Sequence, residues 1–303
     1  MADHAAGKSY VTPRALEMAV KSAAERSSMD TGRAMSAFWF HRLLCRVFAG
    51  GGDRFVLKGG QAILARTVNA RATRDIDLLA RGNDLGDAIE ELKGLAATDL
   101  GDHARFVFCA ADPIKAEDAY RSGAKLVFDM WLGAKRMQPV SIDLVVDEVP
   151  LDRAERISPA DRIGVQGIED CDYLVYPVEA ALADKFCGIV ERHRGRSSSR
   201  VKDLVDVAVY ATLCDIDGPG LQTYLFRELG ARGIPAPDEF SVPDEWMQAP
   251  YSKAYGKQAA GTDLQERLHD VCEAADLGEA LFGPVLRGEV AERRWAHERL
   301  AWE

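Results

Sequence analysis

Two aspartates one residue apart, in Asp75-Ile76-Asp77-Leu78-Leu79, constrain this chain more than any other feature. Side chains alternate faces along a strand, so these carboxylates point the same way, roughly 7 Å apart. Ile76, Leu78 and Leu79 give the segment the apolar content of a strand that is at least half buried. Like charges side by side on such an element repel one another and lose hydration. A divalent cation relieves both costs, and Mg²⁺ prefers oxygen ligands with substrate phosphates completing its octahedron. The plainer reading is a solvated strand end or turn.

Upstream, Phe55-Val56-Leu57 is a short apolar run, Lys58-Gly59-Gly60 breaks it, and Gln61–Arg66 reads as the first turns of a helix. Strand, glycine turn and helix N-terminus together form an anion site. Backbone N–H groups point outward there, and the missing Cβ atoms let phosphate approach. A triphosphate cradle followed by a metal-binding pair is what nucleotidyl transfer requires.

The length of 303 residues suits two domains or one elaborated one. No apolar run approaches the roughly 20 residues of a membrane span, and Met1-Ala2-Asp3-His4 does not open a secretory signal. The six cysteines lack Cys-x-x-Cys spacing, which speaks against zinc and a disulfide framework and fits a reducing, cytoplasmic setting. A net charge of −10 argues against indiscriminate nucleic-acid binding. Lys185, Arg192, Arg194, Arg196, Arg200 and Lys202 nevertheless form a basic run, which reads either as a local RNA or phosphate site or as a solvated loop.

Periodicity predicts helices over 13–27, 32–49 and 84–97, with Phe38, Leu43, Leu44 and Val47 on the apolar face of the second. Strands are expected at Arg105–Ala110, Lys125–Leu132 and Val140–Val146, the last two joined by a hairpin loop over Gly133–Pro139. Pro177 opens a helix running to about Arg194, and further helices follow over 200–213, 219–230, 262–276 and 287–301. The proline-rich stretch 233–250 reads as a long surface connection. The layout is an N-terminal α+β half, 1–150, and a helical half, 151–303.

In Val140-Ser141-Ile142-Asp143-Leu144, Asp143 lies opposite an apolar face and completes a three-carboxylate metal cluster if its strand neighbours the Asp75/Asp77 strand. Asp129 is the competing third carboxylate. Lys185 falls on a helical stripe with Val178, Ala181, Leu182 and Ile189, so its ammonium must either snorkel out or meet an anion; we favour the β/γ-phosphates. Lys202, Asp203 and Asp206 share a helix face. They read either as a solvated face with a Lys202–Asp206 pair, or as Lys202 on a phosphate beside a functional Asp203.

The blocks Lys58-Gly59-Gly60, Arg71-Ala72-Thr73-Arg74-Asp75-Ile76-Asp77-Leu78, Ala183-Asp184-Lys185 and Arg200-Val201-Lys202-Asp203-Leu204-Val205-Asp206 resemble the AbiEii/AbiGii nucleotidyltransferase toxins, including the MenT toxins. The resemblance implies a bilobed polymerase-β-like nucleotidyltransferase fold with an NTP and Mg²⁺ (Mn²⁺ as an alternative) in the cleft. It implies a toxin, held by a cognate antitoxin of winged-helix or similar type, that adds nucleotides to the 3′ acceptor end of tRNA and blocks translation. By matching position, Gly59 and Gly60 cradle the triphosphate, Asp75 and Asp77 hold metal, Lys185 contacts the triphosphate and Asp203 is a catalytic carboxylate. Lys58, Thr73 and Lys202 are further candidates for the nucleotide, and Arg192, Arg194, Arg196 and Arg200 of the basic run are the candidates for RNA. Asp77→Ala and Lys185→Ala are then expected to abolish product and leave the fold intact. Two alternatives stand beside this: transfer to a small molecule or protein side chain, and a non-catalytic nucleotide-binding module.

Overall fold

The computed structural model describes residues 10–68, 70, 71, 73, 75–82, 84–114, 121–147, 151–193 and 195–303. Arg194 and the first nine residues lie outside these. The chain divides into two compact units, one of Met1–Val68, Ala72–Glu148 and Ala154–Val175, the other of Asn69–Arg71, Val149–Arg153 and Tyr176–Glu303.

The first unit contains, in order, α1 (Pro13–Arg26), α2 (Thr31–Gly50), β1 (Phe55–Lys58), α3 (Gly59–Arg66), β2 (Asp75–Ala80), α4 (Leu85–Ala96), β3 (Ala104–Pro113), β4 (Arg121–Leu132), β5 (Lys135–Arg136), β6 (Val140–Asp147), β7 (Glu155–Ile157) and β8 (Tyr173–Val175). Caps set the helix starts. Thr12 Oγ1 accepts from Ala15 N, and Asp30 and Asp84 accept from Arg33 N and Asp87 N. The sheet order is β3-β4-β6-β2-β1-β8-β7, with β5 beside β4. It is mixed: β2 runs parallel to β6, and β1 parallel to β8, while the other pairs are antiparallel.

Period-two alternation decides what each face carries. Ile76, Leu78, Leu126, Phe128, Ile142 and Leu144 are buried on one face, where α4 packs across β3, β4 and β6 and α2 packs on α4. The other face keeps the charged residues of the same strands. Buried Arg42 and Arg46 of α2 both hold Asp102 at the entry to β3, with Arg42 Nε 2.6 Å from Oδ2 and Arg46 Nη2 2.7 Å from Oδ1. Burial would raise the Asp102 pKa, but the two guanidinium groups outweigh it and leave it below the ordinary value.

One expectation changes here. The loop 133–139 is shorter than expected, because Gly133 adopts a left-handed φ of +59° and lets β4 turn straight into β5, pairing Leu132 with Lys135. Residues 154–175 join the first unit, where β8 pairs with both β1 and β7.

The second unit contains α5 (Val178–Val190), β9 (Arg192–His193), β10 (Arg196–Ser197), α6 (Val201–Leu213), β11 (Ile216–Asp217), α7 (Gly218–Ala231), α8 (Tyr251–Ala259), α9 (Val271–Leu286), β12 (Arg294–Ala296) and β13 (Ala301–Trp302). Helix α5 is buried along nearly its whole length and packs on α6 and α7. Arg232, the C-cap residue of α7, ties it down through Asp184 at 2.6 Å and Glu191 at 3.2 Å.

The C-terminal expectations fare less well. The stretch 287–301 is not helical. It turns into the β12–β13 hairpin against β11, where Trp295 is fully buried and its Nε1–H donates to Ala211 O at 2.8 Å. The helix expected over 262–276 begins later and runs longer, because Asp270 caps α9 by accepting from Cys272 N and Glu273 N. The proline-rich stretch is no mere surface connection, since Phe240, Val242 and Trp246 are core residues. Among the described residues, no helix is long and apolar enough to cross a membrane.

Candidate active site

In the first unit, β1, β2, β6 and β4 lie side by side, and the register puts Lys58 opposite Asp77, Asp77 opposite Asp143, and Asp143 opposite Lys125. Directly paired residues share a sheet face, with Cα atoms about 5 Å apart. Four charged side chains, two acidic flanked by two basic, therefore cross the sheet in one row, with Asp75 on the same face two residues before Asp77. The row forms because Ile76, Leu78, Ile142, Leu144 and Leu126 are drawn into the core and force their neighbours outward.

The register also separates the two candidates for a third carboxylate. Asp143 is aligned with Asp77, whereas Asp129 sits opposite Val107 of β3, past the end of the β4–β6 ladder. Its Oδ1 accepts from Arg136 Nη2 at 2.7 Å.

Gly59 explains the glycine turn. It opens α3 at φ +64°, and a Cβ there would stand 1.9 Å from Asp77 Oδ2. The turn thus seats the Asp77 carboxylate against bare backbone. A Cβ on Gly60 would meet Thr73 Cβ at 3.0 Å, so Gly60 brings Thr73 against the same turn. The N-cap residue of α3, Lys58, makes no side-chain cap hydrogen bond, and a helix N-terminus of this kind favours an anion. Gly59→Ala is expected to destabilise the protein by roughly 1–2 kcal/mol through the left-handed backbone alone. It should also displace Asp77; urea unfolding and metal binding would register the two effects separately.

These residues fit a hard divalent ion. The donors are all oxygens, two carboxylates share a strand face, and the glycine turn leaves room beside one of them. Among the described residues no three acidic, His or Cys side chains stand close enough to form a ready cage. The three-carboxylate cluster expected of Asp75, Asp77 and Asp143 is thus not assembled, although the register sets all three on one sheet face.

Lys125 had no assigned part. Its Nζ donates to Asp75 Oδ1 at 3.1 Å and lies 3.7 Å from Asp143 Oδ1. Only knowledge of the β4–β6 register could have singled it out.

The second unit holds another charged cluster. Lys185 Nζ lies 2.9 Å from Asp203 Oδ1 and 2.9 Å from Asp206 Oδ2. Arg71 grips Asp206 through two bonds of 2.8 Å, and Arg200 Nε holds Asp203 Oδ2. Asp203 and Asp206 are essentially inaccessible, and the Lys185 side chain is 7% exposed. The lysine therefore neither snorkels nor presents its ammonium outward; it is ion-paired in the interior. Asp206 pairs with Arg71 and Lys185 in place of Lys202, which is exposed. The solvated-face reading of this helix is thus corrected for its two aspartates. Gly188, one turn beyond Lys185, makes the space: a Cβ there would stand 2.9 Å from Asp203 Oδ2. Arg71, inside a quoted block but given no role, is the residue missed here. Arg192 and Arg196 are exposed on the β9–β10 hairpin, while the Arg200 side chain is half exposed.

Burial would lower the Lys185 pKa, but Asp203 and Asp206 outweigh it and hold it raised. Burial would raise that of Asp206, but Lys185 and Arg71 hold it lowered. A depressed carboxylate stabilises the fold above its ordinary value of 3.8, and that contribution is lost as pH falls through the folded value. A raised lysine stabilises below 10.5, and its contribution is lost as pH climbs through the folded value. The urea midpoint is therefore expected to be level in this cluster's contribution between about pH 4 and 10 and to fall outside that window. A midpoint that drops between pH 5 and 9 in wild type, and equally in Asp206→Asn, would assign the loss to other groups.

Comparison with known proteins accords with this chemistry. Residues 42–296 match the family model described as nucleotidyl transferase AbiEii toxin, type IV toxin–antitoxin system. Among solved structures the chain is similar to JHP933 from Helicobacter pylori, at 14% identity and a TM-score of 0.41, covering 88% of this chain and 93% of that one. It is similar to a second H. pylori protein, solved as a candidate nucleotidyltransferase, at 13% identity and a TM-score of 0.41, covering 88% and 94%. No curated protein matches the chain. The mixed sheet and its helices form the α+β architecture expected from the sequence, with the glycine turn and the Asp pair on adjacent strands. The family match spans the glycine turn, the acidic row and the buried lysine cluster alike, and the chain belongs to the AbiEii nucleotidyltransferase toxin family of type IV toxin–antitoxin systems.

Proposed function

We propose that the protein is a cytoplasmic, Mg²⁺-dependent toxin that transfers nucleotides from an NTP to the 3′ acceptor end of tRNA and so blocks translation, as the likeness to MenT toxins implies. The observation that carries the reading is the single row in which Asp77 and Asp143 stand side by side next to the Gly59 turn. A divalent ion bound there supplies charge neutralisation for the triphosphate and lowers the pKa of the attacking hydroxyl. The chain's own residues do the positioning. Gly59 and Gly60 admit the triphosphate to the α3 N-terminus, Thr73 lines that turn, and Lys58 adds positive charge at the end of β1.

In the second unit, Asp203 is proposed as a catalytic carboxylate held in place by Lys185 and Arg200. The proposed part of Lys185 thereby shifts from direct triphosphate contact to holding Asp203 and Asp206. Exposed Arg192, Arg196 and Lys202 are the basic groups proposed for RNA and nucleotide, and a cognate antitoxin is the proposed partner.

The test is incubation of total tRNA with each NTP in turn, with Mg²⁺ or with EDTA, followed by sequencing of the 3′ ends. Extension that needs Mg²⁺ is expected. Labelling of an aminoglycoside but not of tRNA would move the acceptor to a small cationic molecule, and no product with any NTP would overturn transferase activity on either acceptor.

A further inference from the structure

Lys125 reaches across the sheet in an unusual way. It stands on β4, yet its ammonium lies against Asp143 on the adjacent β6 and Asp75 on β2, one strand further on. In both cases the near atom is Oδ1, at 3.1 Å for Asp75 and 3.7 Å for Asp143. The ammonium thus does with a single charge what a divalent ion would do on the same oxygens. It offsets the repulsion between carboxylates that the register forces onto one face. Two cations cannot share those oxygens without strong mutual repulsion. The Lys125 side chain is 42% exposed on a flexible stem, so it can leave for water or for another anion at small cost.

We propose that Lys125 is an internal countercation that gates the metal site, occupying Asp75 and Asp143 until the triphosphate draws its ammonium away. The inference rests on the nucleotidyl-transfer reading and adds an order to it: ion affinity is low in the free protein and rises when the nucleotide binds. Lys125 acts here as a positioning residue.

The experiment is Mn²⁺ binding to the full chain, followed by electron paramagnetic resonance, with and without a non-hydrolysable NTP analogue. Without nucleotide, Lys125→Met and Lys125→Gln are expected to bind Mn²⁺ roughly tenfold more tightly than wild type, the effect of removing one nearby positive charge. Lys125→Arg keeps the charge and is expected to stay within about threefold of wild type. The analogue should bring wild type close to the neutral variants. Circular dichroism melts confirm that each variant is folded. If wild type binds Mn²⁺ with the analogue but the neutral variants bind no more tightly than wild type without it, the gating role is wrong and the transferase reading stands. If no protein binds Mn²⁺ under either condition, both fall together.

Discussion

Lys185→Met is expected to lose about 3–5 kcal/mol of folding stability, a large share of what holds a domain together. The ammonium sits 2.9 Å from each of two carboxylates that are themselves shut off from water. Its removal leaves Asp203 with Arg200 alone and Asp206 with Arg71 alone, and brings two like charges face to face in a poorly hydrated interior. The methionine retains most of the stem volume, so the loss reports charge and not a cavity. Urea unfolding measures it. Adding Asp206→Asn to the same chain should recover part of the loss, since one of the stranded charges disappears with it. Wild-type stability in Lys185→Met would mean that the ammonium is not what neutralises this pair. The expectation that Lys185→Ala abolishes product and spares the fold is accordingly revised. A drop in activity at this position says nothing about chemistry until the fraction folded has been measured.

The difference between what was legible and what was not follows the range of the interactions. β1, α3, β2, α4, β3, β4 and β6 could be read because each is set by local rules: alternation, a glycine turn, a capping aspartate. Asp75 and Asp77 share a face by strand geometry alone, and Gly59 was read as a turn glycine, which its left-handed φ bears out, while the space of its missing Cβ is taken by the Asp77 carboxylate. Lys125 was invisible, because its meaning depends on β4 pairing with β6 in the register that sets it opposite Asp143. Arg71 was invisible for a similar reason, its partner Asp206 lying 135 residues away. The C-terminal hairpin was misread as helix since Glu292, Arg293, Arg294, Glu298 and Arg299 carry no strand alternation. What holds it is burial of Trp295 against α6, a tertiary term that local propensity does not contain.

The second large effect separates three aspartates on one sheet face. Asp77→Asn is expected to reduce nucleotide incorporation by at least ~10³-fold, about 4 kcal/mol of transition-state stabilisation. Its carboxylate is the one seated against the Gly59 turn, and an amide cannot replace the second negative oxygen that a hard ion requires. Stability should hardly change, because β2 is anchored by Ile76 and Leu78 on the opposite face. Asp143→Asn is expected to fall in between, near 10²-fold, since it is in register with Asp77 but sits one strand farther from the turn. Asp129→Asn faces the same side yet lies beyond the ladder and is held by Arg136, so it should stay within about threefold of wild type. Labelled-nucleotide incorporation, run beside thermal melts of all three variants, reads the series. An inactive Asp129→Asn with an active Asp143→Asn would reverse the assignment of the third carboxylate. Equal activity in Asp77→Asn and wild type would remove the acidic row from the reaction altogether.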